Sequence, residues 1–308
     1  MEVAHNQMEL SSLRRRLLTA AGGLLLGACT TPVVTPPAPP PLEPRRVVRP
    51  PRVGVALGGG AARGFAHIGV LQVLEEQGIR PDLVVGTSAG SVVGALYAAG
   101  KTPTELATMA MSLDESSITD WVFPSRSLLK GEALARFVRT HTGGKLIDAM
   151  RMPLGIVATD LQTGQPILFR KGDVGTAVRA SSAVPAVFEP VRINGREYID
   201  GGAVSPVPVR FARQMGAEVV IAVDISAIPE GMPTKGPIDI LLQTYNIMGH
   251  AISQFELQDA DVVMRPKLEG IGSAEFSARR LSILAGREAA LMVMPQLKER
   301  IAARARAS

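Results

Sequence analysis

The sequence predicts an α/β fold with a mainly parallel sheet, and two successive strand-turn-helix units carry this prediction. In the first unit, the apolar strand 52–57 ends at three glycines, 58–60, and a helix with apolar residues at helical spacing follows. In the second unit, the apolar strand 83–85 ends at the turn 86–90, before the helix 91–99. Strands joined through a crossover helix lie parallel in one sheet.

Apolar patterning extends this alternation along the rest of the chain. The strands 154–160 and 166–169 are joined by a short turn and predict a hairpin-like pair. Pro295 should kink or divide the closing helix, because proline removes a backbone donor from the helix interior. Further helices are predicted at 102–111, 132–140, 174–182, 206–215, 238–257 and 281–305, and further strands at 197–199 and 218–223.

The N-terminal segment is expected to lie outside the fold. Three arginines, 14–16, precede an apolar run at 17–26, which is short for a bilayer span and ends in small residues before Cys29. This pattern is typical of an export signal over residues 1–28 and resembles a bacterial lipoprotein signal, in which Cys29 is lipidated. The arginines also fit a twin-arginine signal, so the export route stays open.

The predicted organisation is a signal peptide at 1–28, a proline-rich tether at 29–51 and one folded domain at 52–308. Proline fixes φ and lacks an N–H, so the tether cannot form a packed element. We expect a membrane-anchored lipoprotein of the cell envelope on the periplasmic side, with the outer membrane favoured in a Gram-negative cell. The sequence leaves the oligomeric state open.

Charge and composition narrow the expected partners. The formal net charge is +5, and setting aside residues 1–28 removes three arginines and two glutamates, which leaves +4. Only 4% of the residues are aromatic and no basic run interleaves with them, so no nucleic acid partner is expected. The mild basic excess suits an anionic membrane surface. No acidic cluster has calcium-loop spacing, and neither a metal nor a cofactor is expected.

A serine stands in a sharp turn between a predicted strand and a predicted helix. Gly86-Thr87-Ser88-Ala89-Gly90 fits the Gly-x-Ser-x-Gly nucleophile elbow, in the context which that motif needs. Side chains at positions 86 and 90 would clash in so tight a turn, so both positions are glycine. The turn places Ser88 in a cleft. We predict that Ser88 is a nucleophile; the alternative is a serine that only caps the helix.

A nucleophilic serine needs a base that accepts its proton. Three histidines remain beyond the signal peptide: His67, His141 and His250. None of them directly follows a predicted strand, whereas Asp200 ends a short strand and precedes Gly201 and Gly202, which let the backbone come close. An ordinary pKa of about 3.9 makes aspartate a weak base, so burial has to raise that pKa. An Asp-Gly β-turn without a catalytic role is the alternative.

Residues 58–64 form a glycine-rich loop whose amides can converge on negative charge, as in an oxyanion hole. A dinucleotide-binding loop does not fit, because neither register of Gly-x-Gly-x-x-Gly has all three glycines. If the motif starts at Gly58, Arg63 stands at its last glycine position, and if it starts at Gly59, Ala61 stands at its middle one. No Gly-Lys-Ser or Gly-Lys-Thr follows, so a phosphate loop does not fit either. Arg63 either orients this loop, meets a lipid phosphate or is simply solvated.

These three motifs, in this order, resemble the patatin-like phospholipase family over residues 52–223, and most closely its bacterial lipoprotein members related to the neuropathy-target-esterase branch. The resemblance implies a three-layer α/β/α sandwich and a Ser-Asp dyad without a catalytic histidine. It implies that Ser88 attacks an ester of a phospholipid or lysophospholipid, that Asp200 accepts its proton, and that an acyl-serine forms without a metal. It also implies an oxyanion hole at Gly59, Gly60, Ala61 and Arg63, with the first three amides as donors and Ala61 where many members have glycine.

Two rival functions remain open at this stage. The triad of an α/β-hydrolase esterase follows the order Ser, Asp, His, which Ser88, Asp200 or Asp224, and His250 reproduce. His250 lies within a predicted helix, however, and the glycine-rich loop lacks the His-Gly-Gly-Gly form of many lipases. The other rival is a non-catalytic lipid-binding lipoprotein in which the serine is idle.

Overall fold

One mixed sheet runs through the computed structural model, which describes residues 49–120, 127–230, 234–272 and 274–307. The strands in these ranges are β1 Val53–Leu57, β2 Leu83–Thr87, β3 Leu154–Asp160, β4 Pro166–Phe169, β5 Val191–Ile193, β6 Arg196–Asp200, β7 Val219–Val223 and β8 Val262–Met264. They follow the order β5-β6-β3-β2-β1-β7-β8, and β4 pairs with β3 outside that path.

Parallel pairing dominates the centre of the sheet. β1 pairs in parallel with β2 and with β7, β3 joins β2 in parallel, and β8 joins β7 in the same way. The pairs β3–β4, β3–β6 and β5–β6 are antiparallel. Every residue of β1, β2 and β7 is buried, as expected of parallel strands that are covered on both faces.

Helices cover both faces of the sheet. Side chains of β1 alternate between them: Val55 and Leu57 pack into the larger core, and Ala56 packs into a second core with Val207 and Phe211. The predicted three-layer α/β/α sandwich is therefore confirmed. The α-helices of the described ranges are α1 Phe65–Glu76, α2 Ala89–Ala98, α3 Pro103–Ser112, α4 Glu132–His141, α5 Val174–Ser181, α6 Val209–Gln214, α7 Pro237–Glu256 and α8 Arg279–Ala307.

Two strands meet end to end along one edge of β3. Val157 and Ala158, consecutive residues of β3, both pair with β4 on one side. On the other side Val157 pairs with Thr87, the last residue of β2, and Ala158 pairs with Asp200, the last residue of β6. Because β2 and β6 run in opposite directions there, their C-terminal ends face each other. This meeting brings Ser88, which follows Thr87, beside Asp200.

The closing helix departs from its prediction. α8 runs unbroken from Arg279 to Ala307, so Pro295 does not divide it. Packing holds the helix on both sides of the proline, because Gly286 lies against the backbone of α1 and Leu297 is fully buried. Burial of these flanking turns outweighs the ~3 kcal/mol that proline costs in a helix interior.

Three shorter differences have local causes. α6 begins at Val209 and not at residue 206, because Pro208 disfavours the helical conformation of the residue before it. The strands β5 and β8 were not predicted, because runs of three residues are too short to show a period.

The predicted signal peptide, Cys29 and most of the tether lie outside the described residues. All residues that the structure does describe belong to one compact unit. None of their helices is both long enough and apolar enough to cross a membrane.

Candidate active site

Ser88 occupies the sharp turn between β2 and α2. Its φ of 52° and ψ of −122° lie outside the regions that favour residues with a side chain, so the surrounding structure must hold them. A Cβ on Gly86 would lie 2.3 Å from the Gly90 carbonyl oxygen, and one on Gly90 would lie 2.1 Å from the Leu57 carbonyl oxygen. The turn is therefore this tight only because both positions are glycine, as the sequence predicts.

Hydrogen bonds on both sides of Ser88 hold the turn. The Ser88 amide donates to Ser181 Oγ at 2.9 Å, and that hydroxyl donates to the Val157 carbonyl oxygen at 2.6 Å. The Ser91 hydroxyl donates to the Ser88 carbonyl oxygen at 2.6 Å. These bonds use only the backbone of Ser88, which is 9% exposed. Its hydroxyl is left out of the bonds that stabilise the turn.

Asp200 ends β6 and caps the 3₁₀ turn Gly201–Ala203. Its Oδ1 accepts a hydrogen bond from the Gly202 amide at 2.6 Å. Its own amide donates to the Ala183 carbonyl oxygen at 2.9 Å, and its carbonyl oxygen accepts from Thr159 Oγ1 at 2.9 Å. Only 2% of the residue is exposed. The structure thus supplies the burial that an aspartate base requires.

Burial raises the pKa of Asp200 to about 6, because desolvation disfavours the carboxylate. The Ser88 hydroxyl, the Gly202 amide and the Tyr245 hydroxyl act against this rise and lower the pKa. Ser88 is therefore close enough to interact with the carboxyl group. Within the described ranges, however, Asp200 Oδ2 is buried and accepts no hydrogen bond of normal geometry. Oδ2 is the oxygen that remains available for a proton.

Tyr245, a half-buried residue of α7, also contacts the site, although the sequence does not predict it. Its hydroxyl donates to Asp200 Oδ1 at 3.3 Å. Gly202 makes room for this contact, because a Cβ there would lie 3.0 Å from the Tyr245 hydroxyl oxygen. A single tyrosine inside a predicted helix carries no motif, so no signal in the sequence points to it.

The glycine-rich loop passes beside the serine: a Cβ on Gly59 would lie 3.2 Å from the Ser88 Cβ. The Gly59 amide, which the family resemblance implies to be an oxyanion donor, instead donates to the Pro206 carbonyl oxygen at 3.0 Å. The Gly60 and Ala61 amides make no hydrogen bond to any described residue. Two of the three expected donors are therefore available to a ligand.

The backbone explains why glycine suits position 61. Ala61 has a φ of 50°, in the left-handed region that costs energy for a residue with a Cβ. The chain accepts this strain at the start of the 3₁₀ turn Ala61–Gly64, which leads into α1. The methyl group of Ala61 therefore costs backbone energy in addition to any space that it takes from a substrate.

Two buried side chains, those of Arg63 and His67, stabilise the glycine-rich loop by hydrogen bonds. Arg63 Nε donates to the Gly60 carbonyl oxygen at 3.3 Å, and His67 Nε2 donates to the Gly58 carbonyl oxygen at 2.8 Å. Burial lowers the pKa of Arg63 and lowers the pKa of His67 to about 4, so the imidazole is neutral at physiological pH. Arg63 is therefore a buried support of the loop and not a solvated helix residue.

The structure does not bring the rival triad together. His250 lies on α7, and the one hydrogen bond of its side chain within the described residues comes from Gln254 Nε2 at 3.5 Å. Asp224 follows β7, where its carboxylate accepts from the Ser226 amide at 3.0 Å and from Arg265 Nε at 3.3 Å. Ser88 therefore has Asp200, and not His250, as its neighbour.

The chemistry that the site offers is a hydroxyl, a buried carboxyl group and two unpaired amides at the carboxyl ends of β1, β2 and β6. In the described part of the chain, no group of three or more His, Cys, Asp or Glu side chains is arranged to hold a metal ion.

A mixed α/β/α sandwich carries a serine elbow and a neighbouring buried aspartate. Comparison with known protein families identifies the class of protein that these features define. The family model described as patatin-like phospholipase matches residues 55–213, slightly more than half of the chain. The chain belongs to the patatin-like phospholipase family.

Individual relatives agree with this assignment. An uncharacterized NTE family protein of Mycobacterium tuberculosis (strain ATCC 25618 / H37Rv) is 36% identical over 206 residues, which cover 66% of this chain and 57% of that protein. Patatin-like phospholipase domain-containing protein 6 of Homo sapiens is 35% identical over 193 residues, 60% of this chain and 14% of that protein. The chain thus spans less than two thirds of the length of either relative.

Among solved structures, VipD from Legionella pneumophila is similar to this chain with a TM-score of 0.59 and 12% sequence identity. The likeness covers 82% of this chain and 67% of that one. At this identity it shows the fold alone, and it agrees with the sandwich described above.

Proposed function

We propose that the protein is a serine lipid acyl hydrolase that cleaves an ester of a phospholipid or lysophospholipid. The single observation that carries this proposal is the meeting of Ser88 with a buried Asp200 whose Oδ2 accepts no hydrogen bond within the described residues. Membership of the patatin-like phospholipase family supports a lipid ester as the substrate.

In the proposed reaction, Ser88 Oγ attacks the ester carbonyl carbon while its proton passes to Asp200 Oδ2. The carbonyl oxygen becomes an oxyanion, which the Gly60 and Ala61 amides stabilise by hydrogen bonds. The tetrahedral intermediate collapses, the C–O bond to the alcohol breaks, and the proton on Asp200 goes to the leaving alkoxide. Water then repeats the sequence on the acyl-serine and releases a fatty acid.

The electrostatics of Asp200 suit this task. A general base works best when its pKa lies near the working pH, and burial raises the pKa of this carboxyl group to about 6. At neutral pH the group is mostly ionised and ready to accept a proton, yet it is far more basic than a solvated aspartate. No histidine is required in this scheme.

The sequence adds a proposal about location. A lipid on Cys29, followed by the proline-rich tether 29–51, would hold the enzyme on the periplasmic side of a membrane, where its substrate lies. This proposal depends on the signal pattern alone and is independent of the chemistry at Ser88.

The decisive test is the Ser88→Ala variant, assayed on a phospholipid, a lysophospholipid and a p-nitrophenyl ester. We expect hydrolysis of all three to fall to the background rate while the thermal melt stays unchanged, because the hydroxyl makes no structural bond. Labelling by a fluorophosphonate probe should disappear with it. Ser112→Ala, at an exposed serine at the end of α3, is the matched control and should label and turn over normally. Retained turnover in Ser88→Ala would sink the proposal.

A further inference from the structure

Tyr245 reaches the candidate base from a separate helix. α7 has an inward face on which Tyr245, Gly249, Ser253 and Glu256 recur at helical spacing. Ser253 is the one fully buried residue of this helix, so the contacts with the sheet are few. Residues of this face contact the segment 200–207 at the end of β6, and the Glu256 carboxylate also lies 3.5 Å from Arg210 Nε.

Two of these contacts hold α7 in place beside that segment. Gly249 lies beside Pro206, because a Cβ on Gly249 would be 3.7 Å from Pro206 Cγ, an ordinary van der Waals distance. At its C-terminal end, the Glu256 carboxylate accepts hydrogen bonds from the Ser205 hydroxyl and, at 3.2 Å, from the Val207 amide. The helix that places Tyr245 beside Asp200 is therefore held against the segment 200–207.

The hydrogen bonds of Asp200 are divided unequally between its two oxygens. Oδ1 accepts from the Gly202 amide at 2.6 Å and from the Tyr245 hydroxyl at 3.3 Å, whereas Oδ2 accepts none within the described residues. One donor comes from the loop of Asp200 and the other from α7. Two donors on one oxygen resist rotation of the carboxyl group, which would otherwise exchange Oδ1 and Oδ2.

Tyr245 is well suited to remain a donor. Burial, together with the neighbouring Asp200, raises the pKa of Tyr245 well above its ordinary value, so the phenol stays protonated. The groups that act on Asp200 are Ser88, Gly202 and Tyr245, and no charged side chain of the described ranges is among them. Tyr245 is therefore the one titratable neighbour besides the nucleophile, and it does not itself ionise in the working range.

We propose that Tyr245 is a positioning residue for the base: it holds Asp200 by Oδ1, so that Oδ2 stays turned to the Ser88 proton. This inference rests on the proposed Ser88-Asp200 chemistry. It assigns to α7 a role in the reaction, although α7 contributes no group that touches the substrate in the scheme above.

The test is Tyr245→Phe in the full chain, with kcat and KM measured on a p-nitrophenyl ester from pH 5 to 9. Because this hydrogen bond to the carboxylate is long, its loss should lower kcat by about tenfold, with KM nearly unchanged. The acid limb of kcat/KM should move to higher pH, because the lost donor favoured the carboxylate. A purely structural role would lower activity equally at all pH values.

Two measurements separate the possible failures. The rate of fluorophosphonate labelling of Ser88 against pH reports the same base without a lipid substrate, and its acid limb should move in the same direction. Tyr97→Phe, at a half-buried tyrosine of α2 with no bond to Asp200, is the control and should leave both profiles in place. If Tyr245→Phe leaves both limbs unmoved, whether or not its rate falls, the positioning role is refuted. If Ser88→Ala still labels and turns over, the proposed function itself has failed.

Discussion

At the scale of single residues, the pKa of Asp200 makes the clearest prediction. Activity requires the carboxylate, and burial raises its pKa to about 6, so kcat/KM should fall as the pH drops through about 6. Asp200→Asn should lose about 10²–10⁴-fold in kcat, because an amide cannot accept the proton. His250→Ala should keep most of the activity, since the His250 side chain makes no hydrogen bond to Ser88 or Asp200 in the described structure. The opposite result, with both variants folded, would restore the histidine triad.

Asp200→Asn also has a predicted effect on stability. The pKa of folded Asp200 is raised above its unfolded value, so its contribution to stability is complete below about pH 4 and is lost as the pH rises through about 6. Asp200→Asn, which cannot ionise, should therefore melt at a higher temperature than the native protein at pH 8, and the difference should shrink towards pH 4. A lower melting temperature at pH 8 would contradict this view of a desolvated carboxylate.

Arg63 yields a second prediction at this scale. Its Nε holds the Gly60 carbonyl oxygen, and the residue is only 6% exposed, so its main role should be to support the loop. We expect Arg63→Ala to lower kcat/KM on a lysophospholipid and on a neutral p-nitrophenyl ester by the same factor. A larger loss on the lysophospholipid would show instead that the cation meets the lipid phosphate.

At the scale of elements, the packing of α1 against α8 depends on two glycines that face each other. A Cβ on Gly286 would lie 2.0 Å from the Ala66 carbonyl oxygen, and one on Gly69 would lie 1.9 Å from the Ile283 carbonyl oxygen. Gly286→Ala should therefore lower the free energy of unfolding by about 1–3 kcal/mol or more, as overpacking does. Equilibrium denaturation measures this change.

The matched control for that prediction is Gly249→Ala, also inside a helix. The nearest atom to the new methyl group would be Pro206 Cγ at 3.7 Å, an ordinary contact. Alanine favours a helix over glycine by up to about 1 kcal/mol, so this variant should be as stable as the native protein or more stable. Equal losses in the two variants would mean that the helix crossing does not require glycine.

At the scale of the whole molecule, the predicted lipid anchor at Cys29 can be tested apart from the catalytic site. A thioether to diacylglycerol needs sulfur, so Cys29→Ser should remain an unprocessed precursor. The uncleaved apolar run 17–26 would still hold that precursor on a membrane, so membrane association is a poor measurement. The intact mass of the native N-terminus is decisive: we expect a chain that begins at Cys29 and carries lipid. An unmodified cysteine would refute the anchor and leave the hydrolase proposal untouched.

Features whose physical basis is local can be predicted from the sequence. The strand-to-helix turn at Ser88 needs small residues within two positions on either side, and the glycines that supply them are visible in any reading of the chain. The alternation of apolar strands and helices likewise fixes the parallel sheet, because each element must bury an apolar face. Asp200 was predicted from its place at the end of a strand and before two glycines, which is again a local pattern.

Tertiary structure alone decided what depends on contacts between distant segments. No local pattern shows that β2 and β6 meet end to end along β3, which places Asp200 beside Ser88 across more than a hundred residues. The Gly59 amide is occupied by Pro206, and Tyr245 reaches Asp200 from a helix in which nothing marks it out. Pro295 remains inside an unbroken helix because packing on both sides outweighs its local cost. In each case a nonlocal contact, which no pattern along the chain encodes, decided the outcome.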